Sequence, residues 1–448
     1  MSGTYASRSA ELLDREAAYL APGASEDAAI GKRVFVRGHD STLVDADGVE
    51  YLDLCAGTLT QSLGHAHPEV VRALTEQARR LWNVHDFATA DRGEVCELLA
   101  AMLPDELNTF AFFSTGAEAV EAALRVVAAV APPGRNRIGA LRYGFHGKTQ
   151  GARMLVHWDI GNQSLAGQSI LGYSAYCYRC PLELTYPSCG VKCADLVVRH
   201  ITSKPNVSAL VFEPVLGAAG IVVPPAGYWE KITDAARGAG VLLVADEVLT
   251  GGGRTGTFLA SERFGIEPDL VTLAKGMASG FPFSVLAGRS ETLRHNAIEA
   301  AGSTASTFGS NPLGMAAARA TLSVLRRDEL IASVNTLGAV LGDGLARLHE
   351  RHQVLGDVRG LGLLFGLEFV RDRRDRRPAP EIARAVYQRA LDLGVRVSLG
   401  AHILRLAPPF TVTADELRRG VQVLDQAISE VTESTRLTKE PGAGGRAR

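Results

Sequence analysis

The sequence predicts an α/β protein: a large unit on a doubly wound, mostly parallel sheet, and a smaller α+β unit built from the two ends of the chain. Three observations carry this. Short apolar runs alternate with helical patterns between residues 109 and 289, the signature of strand–helix winding. Several runs are apolar throughout, as strands covered on both faces are. The last third then changes to long helical stretches around two apolar runs.

The elements follow in order. "FVRGHDSTLVDADGVEYLDL" (35–54) reads as N-terminal strands that complete the smaller unit. "TFAFFST" (109–115) is a strand followed by the alanine-rich helix 116–130, and "RIGALRYGF" (137–145) is a second strand. "ALVFEPV" (209–215) and "GVLLVADEV" (240–248) flank a helix in "WEKITDAARGAG", closed by glycine. "DLVTLAKG" (269–276) and "FSVLAGR" (283–289) are further strands. Residues 311–352 read as one long helical stretch, followed by "GLLFGLEFV" (362–370), "HILRLAPPF" (402–410) and a last helix over 413–431. The expected division is 1–75 for the N-terminal segment and part of the small domain, 76–324 for the large domain, 325–435 for the C-terminal small domain, and 436–448 for a disordered tail.

With 448 residues the chain is too long for one simple core. A net charge of −2, 46% apolar and 21% charged residues fit a soluble globular enzyme and give no reason to expect nucleic acid or an anionic membrane as partner. No apolar run approaches the roughly 20 residues that span a bilayer, and the N-terminus has no apolar core of signal-peptide length. A cytoplasmic location is the expectation.

Five stretches carry candidate chemistry. In "STGAEAVE" (114–121), Thr115 and Glu118 stand in capping-box spacing at a tight turn before a helix. Such a turn can seat a phosphate on free N–H groups, and it is equally at home as an ordinary capped helix. In "VADEVLTGGGRTG" (244–256), Asp246 and Glu247 end a buried strand, where open α/β sheets bind ligands; an Asp there can hold a protonated ring nitrogen or be satisfied by loop N–H groups. In "PDLVTLAKGMASGFP" (268–282), Lys275 ends an apolar strand in a chain whose 47 basic residues include only seven lysines. Burial favours a neutral, nucleophilic amine; the alternative is a lysine whose head snorkels into water. "STFGSNP" (306–312) is a hydroxyl pair in a glycine-rich loop, and "RLAPPF" (405–410) sets Arg405 among apolar residues, where a guanidinium wants a carboxylate.

The order of these motifs, with "GHAHPEV" (64–70), "FHG" (145–147) and "FEPV" (212–215), resembles the class III aminotransferases over nearly the whole chain. The resemblance implies fold type I, pyridoxal 5'-phosphate as cofactor, and transfer of an amino group from a small-molecule donor to a keto acid or other carbonyl acceptor. It makes Lys275 the Schiff-base lysine and Asp246 the partner of the pyridinium nitrogen. It gives the phosphate to Thr115, Gly116 and Ala117. It lays Phe145 on the ring face with His146 beside it and Val248 on the opposite face, and makes Glu213 a supporting acid. Thr307 would reach the neighbouring subunit's phosphate, implying a homodimer or larger assembly with a shared site, and Arg405 would take the substrate α-carboxylate. Racemisation, epimerisation or elimination on the same scaffold is the alternative reaction, and a non-catalytic relative a third possibility. The chain departs from the family at Leu216, Ala218 and Gly252, where relatives often carry an amide, a glutamate and an aromatic; these changes bear on the substrate.

"CYRCPLELTYPSCGVKC" (177–193) holds Cys177, Cys180, Cys189 and Cys193. Four such thiols can bind zinc. A structural thiol loop without metal is the preferred reading, and no metal site is expected.

Overall fold

The computed structural model describes residues 7–21, 30–156, 169–301 and 304–437. The tail expected beyond residue 436 lies almost wholly outside them.

Three strands come from the N-terminal part: β1 (Phe35–His39), β2 (Thr42–Asp45) and β3 (Glu50–Asp53). The middle supplies β4 (Thr109–Phe113), β5 (Arg137–Leu141), β6 (Ile170–Gly172), β7 (Val207–Phe212), β8 (Leu242–Asp246), β9 (Leu270–Leu273) and β10 (Ser284–Gly288). The last third adds β11 (Leu355–Gly360), β12 (Phe365–Phe369), β13 (Val395–Arg396), β14 (Ser398–Gly400) and β15 (Ile403–Leu406). The middle strands form a seven-stranded sheet in the order β4-β10-β9-β8-β7-β5-β6, parallel except for β10, which runs antiparallel to both neighbours.

Its faces are covered on both sides, as the uninterrupted apolar runs predict. Along β7 and β8, Leu210, Phe212, Leu243 and Ala245 join the core that holds Val197, Ile201, Trp229 and Ile232 from helices Lys192–Thr202 and Tyr228–Gly238. The alternate residues Ala209, Val211 and Val244 join the core under helix Gly116–Val130. That helix buries six small or β-branched residues (Ala119, Val120, Ala122, Ala123, Val126 and Val127), which lets its backbone lie close to the sheet.

One expectation changes. The 311–352 stretch is two helices, Pro312–Arg327 and Leu330–Arg351, broken where Glu329 takes a left-handed conformation at φ 49°. The N-terminal strands complete the smaller unit by pairing with β13 in a four-stranded sheet distinct from β11-β12-β15-β14. Because β13 and β14 are separated only by Val397, both ends of the chain still meet in one region.

The final helix, Ala414–Leu437, is held at its start by a capping box. Glu416 N donates to Thr413 Oγ1 at 3.2 Å and Thr413 N to Glu416 Oε2 at 2.8 Å, while Ser41 Oγ donates to Glu416 Oε1 at 2.5 Å. Thr413→Ala should lower stability by about 1 kcal/mol and leave catalysis unchanged, read as a lower chemical-unfolding midpoint at constant turnover.

Candidate active site

The parallel strands β8 and β9 pair side by side, with Asp246 opposite Thr272. Their carboxyl ends therefore deliver Asp246 and Lys275 to the same edge of the sheet, the edge at which α/β folds bind ligands. A cleft of about 840 Å³ opens there, lined by Thr115, Gly116, Ala117, Phe145, His146, Glu213, Asp246, Val248, Lys275 and Arg405 among others.

Asp246 is buried and heavily bonded. Its Oδ1 accepts from Thr272 Oγ1 and Val248 N, both at 3.1 Å, and its Oδ2 lies 2.7 Å from His146 Nδ1. Burial works against a charged His146, but the bond and charge of Asp246, with Glu213 adding, outweigh it and raise the imidazole pKa above its ordinary value. Among the described residues the buried His146 Nε2 has no hydrogen-bond partner. Desolvation lowers the Lys275 pKa below that of an ordinary lysine, against the raising influence of Asp246 and Glu213. Lys275 itself sits at φ 47°, on the 3₁₀ turn that follows β9.

Glu213 joins two walls of the cleft. One carboxylate oxygen accepts from Phe145 N at 2.8 Å and the other from Gly217 N at 2.9 Å. Burial, with the charge of Asp246 adding and that of His146 opposing, pushes its pKa up to about 7.

At the helix Gly116–Val130 the capping box forms as the spacing predicts: Glu118 Oε2 accepts from Thr115 N at 2.8 Å and Ser114 N at 3.1 Å, and Thr115 Oγ1 accepts from Glu118 N at 3.2 Å. The N–H groups of Gly116 and Ala117 then remain as first-turn donors that no helix can pair internally, on the cleft wall. A Cβ on Gly116 would stand 2.8 Å from Val248, so only glycine lets Val248 pack against this turn.

On another wall, Arg405 Nη2 donates to Ser398 Oγ at 2.9 Å, its buried Nε has no partner, and it forms no ion pair among the described residues. Thr307 is the one expected residue not brought to the cleft. It is exposed, and its carbonyl accepts from Asn83 Nδ2 at 3.2 Å. Sequence reasoning missed Thr58, Leu59 and Thr60, which line the cleft from a turn where Thr58 and Leu59 have φ of 88° and 63°; the glycine in "CAGT" was the available signal. It also missed Ser398 and Thr272, which act by holding Arg405 and Asp246.

All six cysteines are free. Cys177, Cys180, Cys189 and Cys193 line one cavity of about 20 Å³, and burial pushes the Cys193 thiol up to about 11. Among the described residues no group of three or more His, Cys, Asp or Glu is arranged to hold a metal ion.

A low-pKa amine, a carboxylate prepared for a protonated ring nitrogen, and unpaired helix N–H groups are the donor set that fits pyridoxal phosphate. Fold and site together define a pyridoxal-phosphate enzyme of fold type I. The aminotransferase class-III family model matches residues 24–428, and the chain belongs to that family. It is 32% identical over 410 residues to a leucine/methionine racemase of Thermococcus litoralis, covering 89% of this chain and 91% of that protein. It is 31% identical over 404 residues to the 4-aminobutyrate aminotransferase of Escherichia coli, covering 88% and 93%. Among solved structures, an amine transaminase from an uncultivated Pseudomonas species superposes with a TM-score of 0.86 at 30% identity, covering 92% of this chain and 98% of that one. An omega transaminase of Pseudomonas jessenii in complex with PMP gives 0.88 at 25% identity, covering 94% and 98%. Membership makes this chain a class III, pyridoxal-phosphate-dependent aminotransferase acting on a small-molecule amino donor and a carbonyl acceptor.

The raised Glu213 pKa has a pH signature. Between about pH 4.5 and 7 the unfolded chain ionises this carboxyl while the folded protein keeps it protonated, so its contribution to stability is lost as pH rises through that window. Glu213→Gln should remove the dependence. From pH 5 to pH 8 the apo-variant should gain roughly 2–3 kcal/mol relative to wild type, measured by chemical unfolding at both pH values; a constant difference contradicts the assignment.

Proposed function

We propose that the donor is an amino acid recognised by its α-carboxylate at Arg405, and that Lys275 and Asp246 carry the chemistry. The observation that carries this reading is the pairing, in one cleft, of a lysine with a lowered pKa and an arginine that forms no ion pair among the described residues. Pyridoxal phosphate, when bound, supplies an aldehyde for the amine and an electron sink for charge released at the donor's Cα. Lys275 Nζ would hold the cofactor covalently until the donor's amine displaces it, and the amine so released would take the proton from Cα. The Asp246 carboxylate, fixed by His146, Thr272 and Val248 N, keeps a proton on the ring nitrogen. Gly116 and Ala117 N–H groups, with Thr115, seat the phosphate; Phe145 and Val248 confine the ring; Glu213 holds Phe145 in place.

The reading takes residues 76–324 as the cofactor-binding unit, flanked by 1–75 and 325–435. It places the protein in the cytoplasm, which six free cysteines suit; no described helix is long and apolar enough to cross a membrane. It makes the active species a homodimer in which Thr307 serves the neighbour's phosphate, supported by the exposure of Phe308, Trp82 and Phe87 near that loop. Sedimentation of a fully active monomer would contradict the shared site.

Racemisation is the second reading, favoured by the similarity to two racemases, of leucine/methionine and of alanine/serine. Incubation with 15N-labelled L-alanine and 2-oxoglutarate separates the two. Transfer predicts 15N-glutamate and pyruvate, whereas D-alanine with no nitrogen transfer would establish racemisation. Arg405→Ala should raise the KM for L-alanine about ten- to a hundred-fold and change that for an amine without a carboxylate far less; equal losses would show that the arginine is structural.

A further inference from the structure

The turn that carries Ala218 into the cleft is fastened from behind. Leu216 and Val222 exchange backbone bonds at 3.1 and 2.9 Å, closing a tight loop over 216–222. Its outer residue, Gly220, has φ 100°, and its carbonyl accepts from Arg359 Nε at 2.8 Å. The remaining donors of Arg359 are committed as well. Nη1 reaches Glu368 Oε2 at 2.7 Å and Asp357 Oδ2 at 2.6 Å, and Nη2 reaches Tyr176 OH at 2.8 Å. Tyr176 OH in turn donates to Glu368 Oε2 at 2.5 Å, and the Arg359 guanidinium lies 4.8 Å from the Tyr176 ring centre. Glu368 is fully buried and is also bonded by Arg179.

This network joins three regions far apart in sequence. Arg179 belongs to the cysteine-rich loop and Tyr176 immediately precedes it. Arg359 and Glu368 lie on β11 and β12, and β12 pairs with the strand of Arg405, Gly366 standing opposite Arg405. A Cβ on Gly366 would meet the Gly220 carbonyl at 2.4 Å, so the turn lies directly on that pair of strands. Leu216, one of the positions that depart from the family, packs with Tyr176 and Val222 in a small apolar cluster, with Tyr143 and Ala219 against it. The departures at 216 and 218 and the cysteine-rich loop thus belong to one assembly.

We propose that Arg359 is a positioning residue for the substrate pocket: by gripping the Gly220 carbonyl it fixes the 216–222 turn, and with it the place of Ala218 on the wall it shares with Arg405. The link to the donor rests on reading that wall as the carboxylate site. A lysine at 359 keeps the charge beside Glu368 but cannot reach the Gly220 carbonyl, Tyr176 and Asp357 together, because it lacks the planar fork.

The test is backbone hydrogen exchange of the holoenzyme by mass spectrometry, paired with kinetics on L-alanine. Arg359→Lys should accelerate exchange at residues 216–222 by about tenfold or more, leaving the helix Gly116–Val130 unchanged. KM for L-alanine should rise about tenfold while kcat stays within about threefold. Tyr176→Phe, which keeps the packing and removes one bond, should move both in the same direction by less, and it decides the matter alone should Arg359→Lys not fold. Unchanged exchange at 216–222 overturns the brace. Faster exchange with an unchanged KM, or a fall in kcat at constant KM, overturns its role in the pocket. A wild-type holoenzyme that transfers no amino group from any donor sinks the reading of the site, while the exchange result still decides what holds the turn.

Discussion

The 2.7 Å bond between Asp246 and His146 is the contact on which the site depends. A carboxylate at the end of a buried strand loses hydration, and a charge that is not compensated there is costly. His146, raised in pKa by this partner, supplies compensation on one side, while Thr272 and Val248 N supply neutral donors on the other. Burial, with the neighbouring charge of Asp246 adding, drives the second acid of the cleft, Glu213, toward its neutral form, and desolvation lowers the pKa of the Lys275 amine. Among the described residues the His146 ring bonds to Asp246 through Nδ1, and its Nε2 has no hydrogen-bond partner.

Parallel topology is what makes this arrangement possible. β8 and β9 run the same way side by side, so the residues that follow them emerge at one edge. The helix after β4 starts at that edge too, because β4 runs antiparallel to β10 and so in the same sense as β9. Its N-terminal N–H groups therefore face the same cleft as the amine and the carboxylate. The smaller sheets contribute the opposite wall, with Arg405 on β15 and the 56–60 turn after β3.

Much of this was legible in the sequence, for identifiable reasons. Leu270–Leu273 and Leu242–Asp246 are short runs buried on both faces, so their composition alone reports a covered sheet. Thr115 and Glu118 announce a helix start through local bonds that need no tertiary partner. The break at Glu329 was hidden because apolar residues continue at helical spacing on both sides of it. Val395–Arg396 and Ser398–Gly400 are too short to show a period, so Ser398 could not be placed beside Arg405. The bonds from Tyr176 to Glu368 and Arg359 span more than 180 positions, a distance no local pattern encodes. Thr307 illustrates the opposite limit, since its motif is clear and the residue is exposed and not among those lining the chain's own cleft.

The proposed role of Lys275, as the amine that this cleft prepares for the cofactor's aldehyde, is open to a direct measurement: loading the protein with pyridoxal phosphate, reducing with borohydride, and mapping the modified peptide by mass spectrometry. Modification is expected at Lys275 alone among the seven lysines of the chain. Stoichiometric modification at another lysine, with Lys275 unlabelled, would contradict it.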